Sequence, residues 1–247
     1  MRELQRLLSK VRQAVDSYSM IIEGDKIAVG VSGGKDSLAM LCALGALRDF
    51  YPASFEVIAV TIDPAFQEVS RIGASEADYS LIEELCRRLR VKLIIERTQI
   101  APIVFDHRQE SNPCSLCARL RRAALTALAE KTGANKLALG HHRDDAAQTI
   151  LMNLFNEGRL GCFSPVTALE DRKISVIRPM VLCSEREISA FAIKAALPVL
   201  ESPCPMDKGS NRARIGELIR ELDRENPGVA HRIVGAFKRS ETDGWHE

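Results

Sequence analysis

Apolar positions along the chain follow two periods. Leu4, Leu7, Leu8, Val11 and Val15 recur at helical spacing, with Arg2, Arg6, Lys10 and Arg12 between them, which predicts an amphipathic helix over residues 1–20. Beyond it come short unbroken apolar runs at 26–31 (KIAVGV), 55–62 (FEVIAVTI), 91–96 (VKLIIE), 136–140 (KLALG) and 174–177 (ISVI), the pattern of buried strands. Helical patterns fill the gaps at about 36–49, 75–90, 115–132 and 144–157. Strands alternating with helices predict an α/β fold: a doubly wound parallel sheet of about five strands with helices on both faces, flanked by N- and C-terminal helices. Ser184-Glu185-Arg186-Glu187 has capping-box spacing before Ile188 and Phe191, and Leu197-Pro198 closes that helix. A last strong helix starts near Asn211 and stops before Pro227, and the polar tail after Phe237 is expected to fray. The expected organisation is an N-terminal helix (1–24), a central domain (25–200), and a cysteine-bearing loop and helix (201–247) packed on it.

Composition narrows the class. Among 247 residues, 34 Lys+Arg face 33 Asp+Glu, so no global positive field announces nucleic acid and any RNA contact must come from local basic patches. The N-terminal segment lacks the uninterrupted apolar core of a signal peptide, and no apolar run approaches the ~20 residues that span a bilayer. A cytoplasmic protein with no membrane contact is expected. Seven cysteines are an odd count for a reducing compartment, which argues against a disulfide framework. Cys42, Cys86 and Cys183 lie in apolar surroundings and read as buried small hydrophobes.

The strongest chemical signal is Ser32-Gly33-Gly34-Lys35-Asp36-Ser37, between the first strand and the next helix. Two glycines allow a tight turn of inward-pointing N–H groups, the helix end adds positive potential, and two hydroxyls supply further donors, so the segment suits a phosphate or pyrophosphate. It is neither a Walker A loop nor a dinucleotide fingerprint: Val29 stands where the first Walker glycine belongs, and Asp36 where the hydroxyl belongs. At the end of the fourth strand, Gly140-His141-His142-Arg143-Asp144-Asp145 should face the same crevice. Asp144 could cap the next helix or act in catalysis, and the two histidines could orient other groups or simply pack. A third constellation joins Cys114-Ser115-Leu116-Cys117, opening a basic helix with Arg119, Arg121 and Arg122, to Cys204, which stands between Pro203 and Pro205. A helix N-terminus and nearby arginines favour thiolates. From residue types alone, a metal cluster, a three-thiolate zinc site, a redox pair and a persulfide relay all remain open.

SGGKDS and GHHRDD resemble the two signatures of the PP-loop (N-type) ATP pyrophosphatases, which cleave ATP between its α and β phosphates. With PCSLCARLRR, Ile177-Arg178-Pro179 and the Pro-Cys loop added, the chain is similar, from about Asp25 to Pro227, to the tRNA 2-thiocytidine synthetase family. That resemblance implies ATP as cosubstrate on Ser32, Gly33, Gly34, Lys35, Asp36 and Ser37, with Mg²⁺ held in part by Asp36 and with Asp63, Gly140 and His141 beside the nucleotide. It implies a [4Fe-4S] cluster on Cys114, Cys117 and Cys204, with one iron free to accept sulfide. Asp145, Lys35, Asp36 and Arg121 are the implied catalytic residues. The implied reaction adenylates C2 of a cytidine in the tRNA anticodon loop, at position 32 in the family, and replaces its oxygen with sulfur. Implied partners are tRNA and a sulfur donor, either a cysteine desulfurase or sulfide, and a homodimer is expected to be possible. Arg87, Arg88, Arg90, Arg212 and Arg214 are further candidates for RNA contact. One departure bears on the nucleoside: the family's late loop reads Pro-Cys-x-x-Cys, whereas Pro205, Met206 and Asp207 follow Cys204 here. Alternatives are a 2-thiouridine-type PP-loop enzyme, a cluster-free persulfide sulfurtransferase, an aminating PP-loop enzyme, which would have no need of the three cysteines, and a non-catalytic adenine-nucleotide sensor.

Overall fold

Six strands form one sheet in the order β3-β2-β1-β4-β6-β5. They comprise β1 (Asp25–Gly30), β2 (Phe55–Asp63), β3 (Lys92–Arg97), β4 (Lys136–Ala138), β5 (Val166–Ala168) and β6 (Ser175–Ile177). The computed structural model describes residues 2–70, 73, 75–108, 113–169, 171–201, 204 and 211–246. β1 is central and parallel to both neighbours, Ile27 lying opposite Val57 on one side and Lys136 on the other. Strand order therefore reverses between β1 and β4, and at such a switch point the carboxyl ends of the strands diverge and leave a crevice.

The apolar runs are continuous because both faces of the sheet are covered. Ile27 and Val29 of β1 and Val57 and Ala59 of β2 face one core cluster. Their alternates Ala28, Ile58, Val60 and Ile62 face the other, the period-2 division of a strand. On the first face lie α1 (Arg2–Ser17), α2 (Lys35–Leu47), α3 (Ser80–Arg88), α6 (Arg143–Glu157), α7 (Glu185–Lys194), α8 (Asn211–Glu225) and α9 (Val229–Lys238). The opposite face is covered by α4 (Ile100–Pro102), the π turn Ile103–His107 and α5 (Pro113–Lys131), through Ile100, Val104, Leu116, Cys117, Leu128 and Ala129. Among the described residues no helix is long and apolar enough to cross a membrane.

Several expectations need correction. β5 adds an antiparallel sixth strand, three residues long, that is too short and too mixed to show a period. β4 ends at Ala138 rather than at 140, and α3 begins at Ser80 rather than at 75. The helix ending at Glu225 is not the last: Asp223 Oδ1 accepts from the Gly228 and Val229 amides at 2.7 and 2.9 Å and turns the chain into α9. Nor does the tail fray. Trp245, 1% exposed, lies among Tyr18, Phe163 and Phe237, and its Nε1 donates to the Phe163 carbonyl at 2.8 Å. One large amphipathic ring outweighs the polar residues around it in the tail.

Candidate functional site

The loop leaving β1 is drawn tight by its own hydroxyls. Ser37 Oγ donates to the Gly34 carbonyl at 2.8 Å and accepts from the Ser32 amide at 3.1 Å, while Ser32 Oγ lies 3.3 Å from Ser37 Oγ. Gly33 takes a φ of +84°, a left-handed conformation that costs glycine nothing. Gly140, two residues past the end of β4, meets the start of α2 so closely that a Cβ there would stand 3.3 Å from Asp36 C and Ser37 N. The two glycine-bearing motifs are thus in backbone contact across the switch point.

Lys35 does not point freely at the crevice. Its Nζ lies 3.0 Å from Asp36 and 3.2 Å from Glu185 at the start of α7. Burial works against the ammonium, but the two carboxylates outweigh it and its pKa is raised. Sequence reasoning missed Glu185, because the contact joins residues 150 positions apart with no local signal.

The GHHRDD segment caps helices. His142 Nδ1 accepts from the Asp145 amide at 3.4 Å, and the Asp145 carboxylate accepts from the His142 amide at 3.1 Å. Asp144 caps a different helix from the one expected, accepting from the Glu185 amide at 2.9 Å. The other oxygen of Asp145 lies 3.7 Å from Arg212 on α8. Asp63 accepts from the Ala65 amide at 2.9 Å and so shapes the turn that leaves β2.

Two adjoining hollows open at the strand ends. One, of about 370 Å³, runs along Ser32, Asp36 and Ser37, Ile62, Arg121 and Arg122, and Gly140 and His141, a size ordinary for a small-ligand site. The second, of about 410 Å³, shares Ser32, Asp36, Ile62 and Arg121 and adds Asp63, Tyr79, Leu200 and Cys204. The segment that carries Cys204 is tied to the phosphate loop, for the Leu200 amide donates to the Gly33 carbonyl at 3.0 Å.

The cysteines divide sharply. Burial pushes Cys42, Cys162 and Cys183 up to about 12 and Cys86 to about 11, so none is a thiolate near neutrality. Cys114 is exposed in the first turn of α5, Cys117 is buried one turn on, and Cys204 is half-buried against Phe66, Val69 and Ala101. Burial raises the Cys117 pKa, Arg121 opposes it, and Cys204 and Cys114 add to it, so three sulfurs from two segments lie within electrostatic reach of one another. Among the described residues no group of three His, Cys, Asp or Glu stands in coordination geometry. The donor set nonetheless fits an iron–sulfur cluster: three soft thiols within electrostatic reach of one another, with Cys204 in the wall of the second hollow. The prolines framing Cys204 and Asn112 before Cys114 lie outside the described residues.

His141 is held neutral, at a pKa of about 3, by burial and by Arg178, Arg212 and Arg122. Of the other arginines considered for RNA, Arg87 and Arg90 are paired with Glu84 and Asp49.

A family model described as a PP-loop domain matches residues 3–222. The chain is 39% identical over 243 residues to a tRNA-cytidine(32) 2-sulfurtransferase of Pelobacter propionicus, covering 96% of this chain and 87% of the relative. It is 38% identical over 239 residues to the protein of the same name from Syntrophotalea carbinolica, covering 96% and 88%. Among solved structures it resembles the U34-tRNA thiolase NcsA from Methanococcus maripaludis with its [4Fe-4S] cluster, with a TM-score of 0.76 at 24% identity, covering 96% of this chain and 78% of that one. At that identity the likeness is one of fold.

Proposed function

Because the chain belongs to the PP-loop family and, within it, to the tRNA-cytidine(32) 2-sulfurtransferases, we propose that it is an ATP-dependent tRNA sulfurtransferase that converts a cytidine to 2-thiocytidine. The observation that carries this reading is the union of phosphate loop and third cysteine in one hollow, tied through Leu200 and Gly33. A nucleotide-activating site and a sulfur-handling site have reason to share a wall only if one substrate atom meets both.

Ser32–Ser37 receive the phosphates of ATP on the loop amides and the two hydroxyls. Asp36 takes part in holding Mg²⁺, and Lys35 turns from the carboxylates toward phosphate. The C2 oxygen of the base attacks the α-phosphate, giving an adenylated base and pyrophosphate, and AMP is the later leaving group. Arg121, which lines both hollows, stabilises charge on the transferring phosphoryl group. Gly140 lets β4 approach the loop, while Asp63 and His141 border the nucleotide. Asp145, whose carboxylate is fixed by the His142 amide, is assigned to the adenylation or sulfur-transfer step. Cys114, Cys117 and Cys204 would hold a [4Fe-4S] cluster, which when bound would pass sulfur from the donor to C2 in place of the oxygen. A target base must leave its stack to reach this depth, so the RNA is read in a loop. The sulfur donor is a cysteine desulfurase or sulfide, the compartment is the cytoplasm, and a homodimer is compatible with the exposed face of α1.

The test is a set of seven Cys→Ala variants prepared without oxygen, each assayed for iron, visible absorption, ATP binding and thiolated nucleoside. Changes at Cys114, Cys117 or Cys204 should remove iron and thiolation but spare ATP binding. Changes at Cys42, Cys86, Cys162 or Cys183 should spare all of these properties. Full thiolation by C204A would sink the three-ligand model and favour a two-cysteine persulfide relay.

A further inference from the structure

Arg178 follows β6 and is buried, yet among the described residues no carboxylate pairs with it. Its Nη1 donates to the Ser164 carbonyl and lies 3.1 Å from Thr167 Oγ1, its guanidinium sits 5.1 Å above the Phe163 ring, and its Nε has no hydrogen-bond partner among the described residues. Holding the β5–β6 connection explains one edge of the guanidinium and leaves the other unused. A buried charge without a counter-ion is among the costliest arrangements a fold can keep. Beside it the His141 ring packs 4.9 Å from the same Phe163 ring, and His141 Nδ1 is also buried without a hydrogen-bond partner among the described residues. The charges of Arg178, Arg212 and Arg122 all bear on His141, and Arg122 bears on Arg178 as well. Among the described residues, of these three only Arg212 has an acid within reach, Asp145 at 3.7 Å. Arg122 lines the nucleotide hollow together with His141, so guanidinium groups from α5, the end of β6 and α8 all lie within electrostatic reach of His141.

We propose that Arg122, Arg178, Arg212 and Nδ1 of His141 form a phosphate subsite beside the nucleotide crevice, and that its occupant is a backbone phosphodiester of the RNA, next to the base being modified. This assignment rests on the tRNA reading above. Guanidinium forks match phosphate oxygens in pairs, and a phosphate would supply both the missing counter-charge and the missing acceptor. The nucleotide's own phosphates already have a cradle at Ser32–Ser37. Arg122 and Arg212 are exposed, so the subsite opens to solvent, as a polymer passing across the surface requires.

The experiment measures the affinity of the full chain for an unmodified tRNA transcript across a salt series, with ATP affinity measured in parallel. It compares the wild type with R178Q and with R212Q, whose surface position keeps the test valid should the buried change disturb folding. Each variant should bind tRNA on the order of ten-fold more weakly, and the slope of log K against log salt should flatten by about 0.7–0.9, one phosphate contact. ATP affinity should hold within about two-fold. Unchanged salt slopes in both variants would overturn the subsite. Loss of ATP affinity with the tRNA slope intact would reassign the phosphate to the nucleotide and overturn the RNA assignment. A wild type that binds no tRNA would instead sink the sulfurtransferase reading itself.

Discussion

Replacing Gly140 by alanine tests the contact that joins the two phosphate-side motifs. The added Cβ would stand 3.3 Å from Asp36 C and Ser37 N and 3.5 Å from Asp36 O, all backbone atoms at the first turn of α2. Backbone cannot swing aside as a side-chain tip can, so β4 and the loop must part by a few tenths of an ångström. That displacement acts on Ser37, whose Oγ bridges the Gly34 carbonyl at 2.8 Å and the Ser32 amide at 3.1 Å. Overpacking of this kind costs about 1–3 kcal/mol. If the loop absorbs the strain, kcat/KM for ATP falls roughly 5- to 150-fold, since each 1.4 kcal/mol is a factor of ten. If the sheet absorbs it, Tm falls by about 2–4 °C for each kcal/mol. Pyrophosphate release over an ATP series, with a thermal melt of the same preparation, separates the two. Wild-type values in both measurements would refute the claim that these motifs are in contact.

Two further outcomes concern stability. Trp245→Ala removes the 1%-exposed ring that joins α1, α9 and the segment at Phe163, and should cost about 3–5 kcal/mol. A thermal melt followed by circular dichroism should show Tm lower by roughly 6–20 °C, and a shift under 2 °C would return the tail to a frayed state. His141 titrates near 3 in the folded chain against about 6.5 unfolded, so between those values the unfolded chain binds the extra proton. Its contribution to stability is therefore present above pH 6.5 and is lost as pH falls toward 3. At pH 5 the loss is about 2 kcal/mol, and His141→Gln should lose correspondingly less stability between pH 7.5 and 5 in denaturant titrations. Equal acid sensitivity in the two proteins would contradict the neutral, buried imidazole.

Much of this protein can be read along the chain. The runs 26–31, 55–62 and 91–96 became β1, β2 and β3 within a residue or two, because a strand buried on both faces must be apolar throughout. α5 and α6 were equally legible, carrying helical spacing over fifteen residues or more. The SGGKDS loop was visible because strand, glycine turn and helix start are consecutive in sequence. What stayed hidden was either too short to show a period, as with β5, or joined residues far apart. The clasp of Glu185 on Lys35, the capping of α7 by Asp144 and the burial of Trp245 all depend on how helices dock. Arg178 shows the difference most clearly. In sequence it is one basic residue in a short motif; in the fold it is a buried cation stacked on the Phe163 ring that a neutral histidine shares, within electrostatic reach of Arg122. Local periodicity governs which surfaces must be covered, whereas the balance of a charge depends on which distant groups that covering brings beside it.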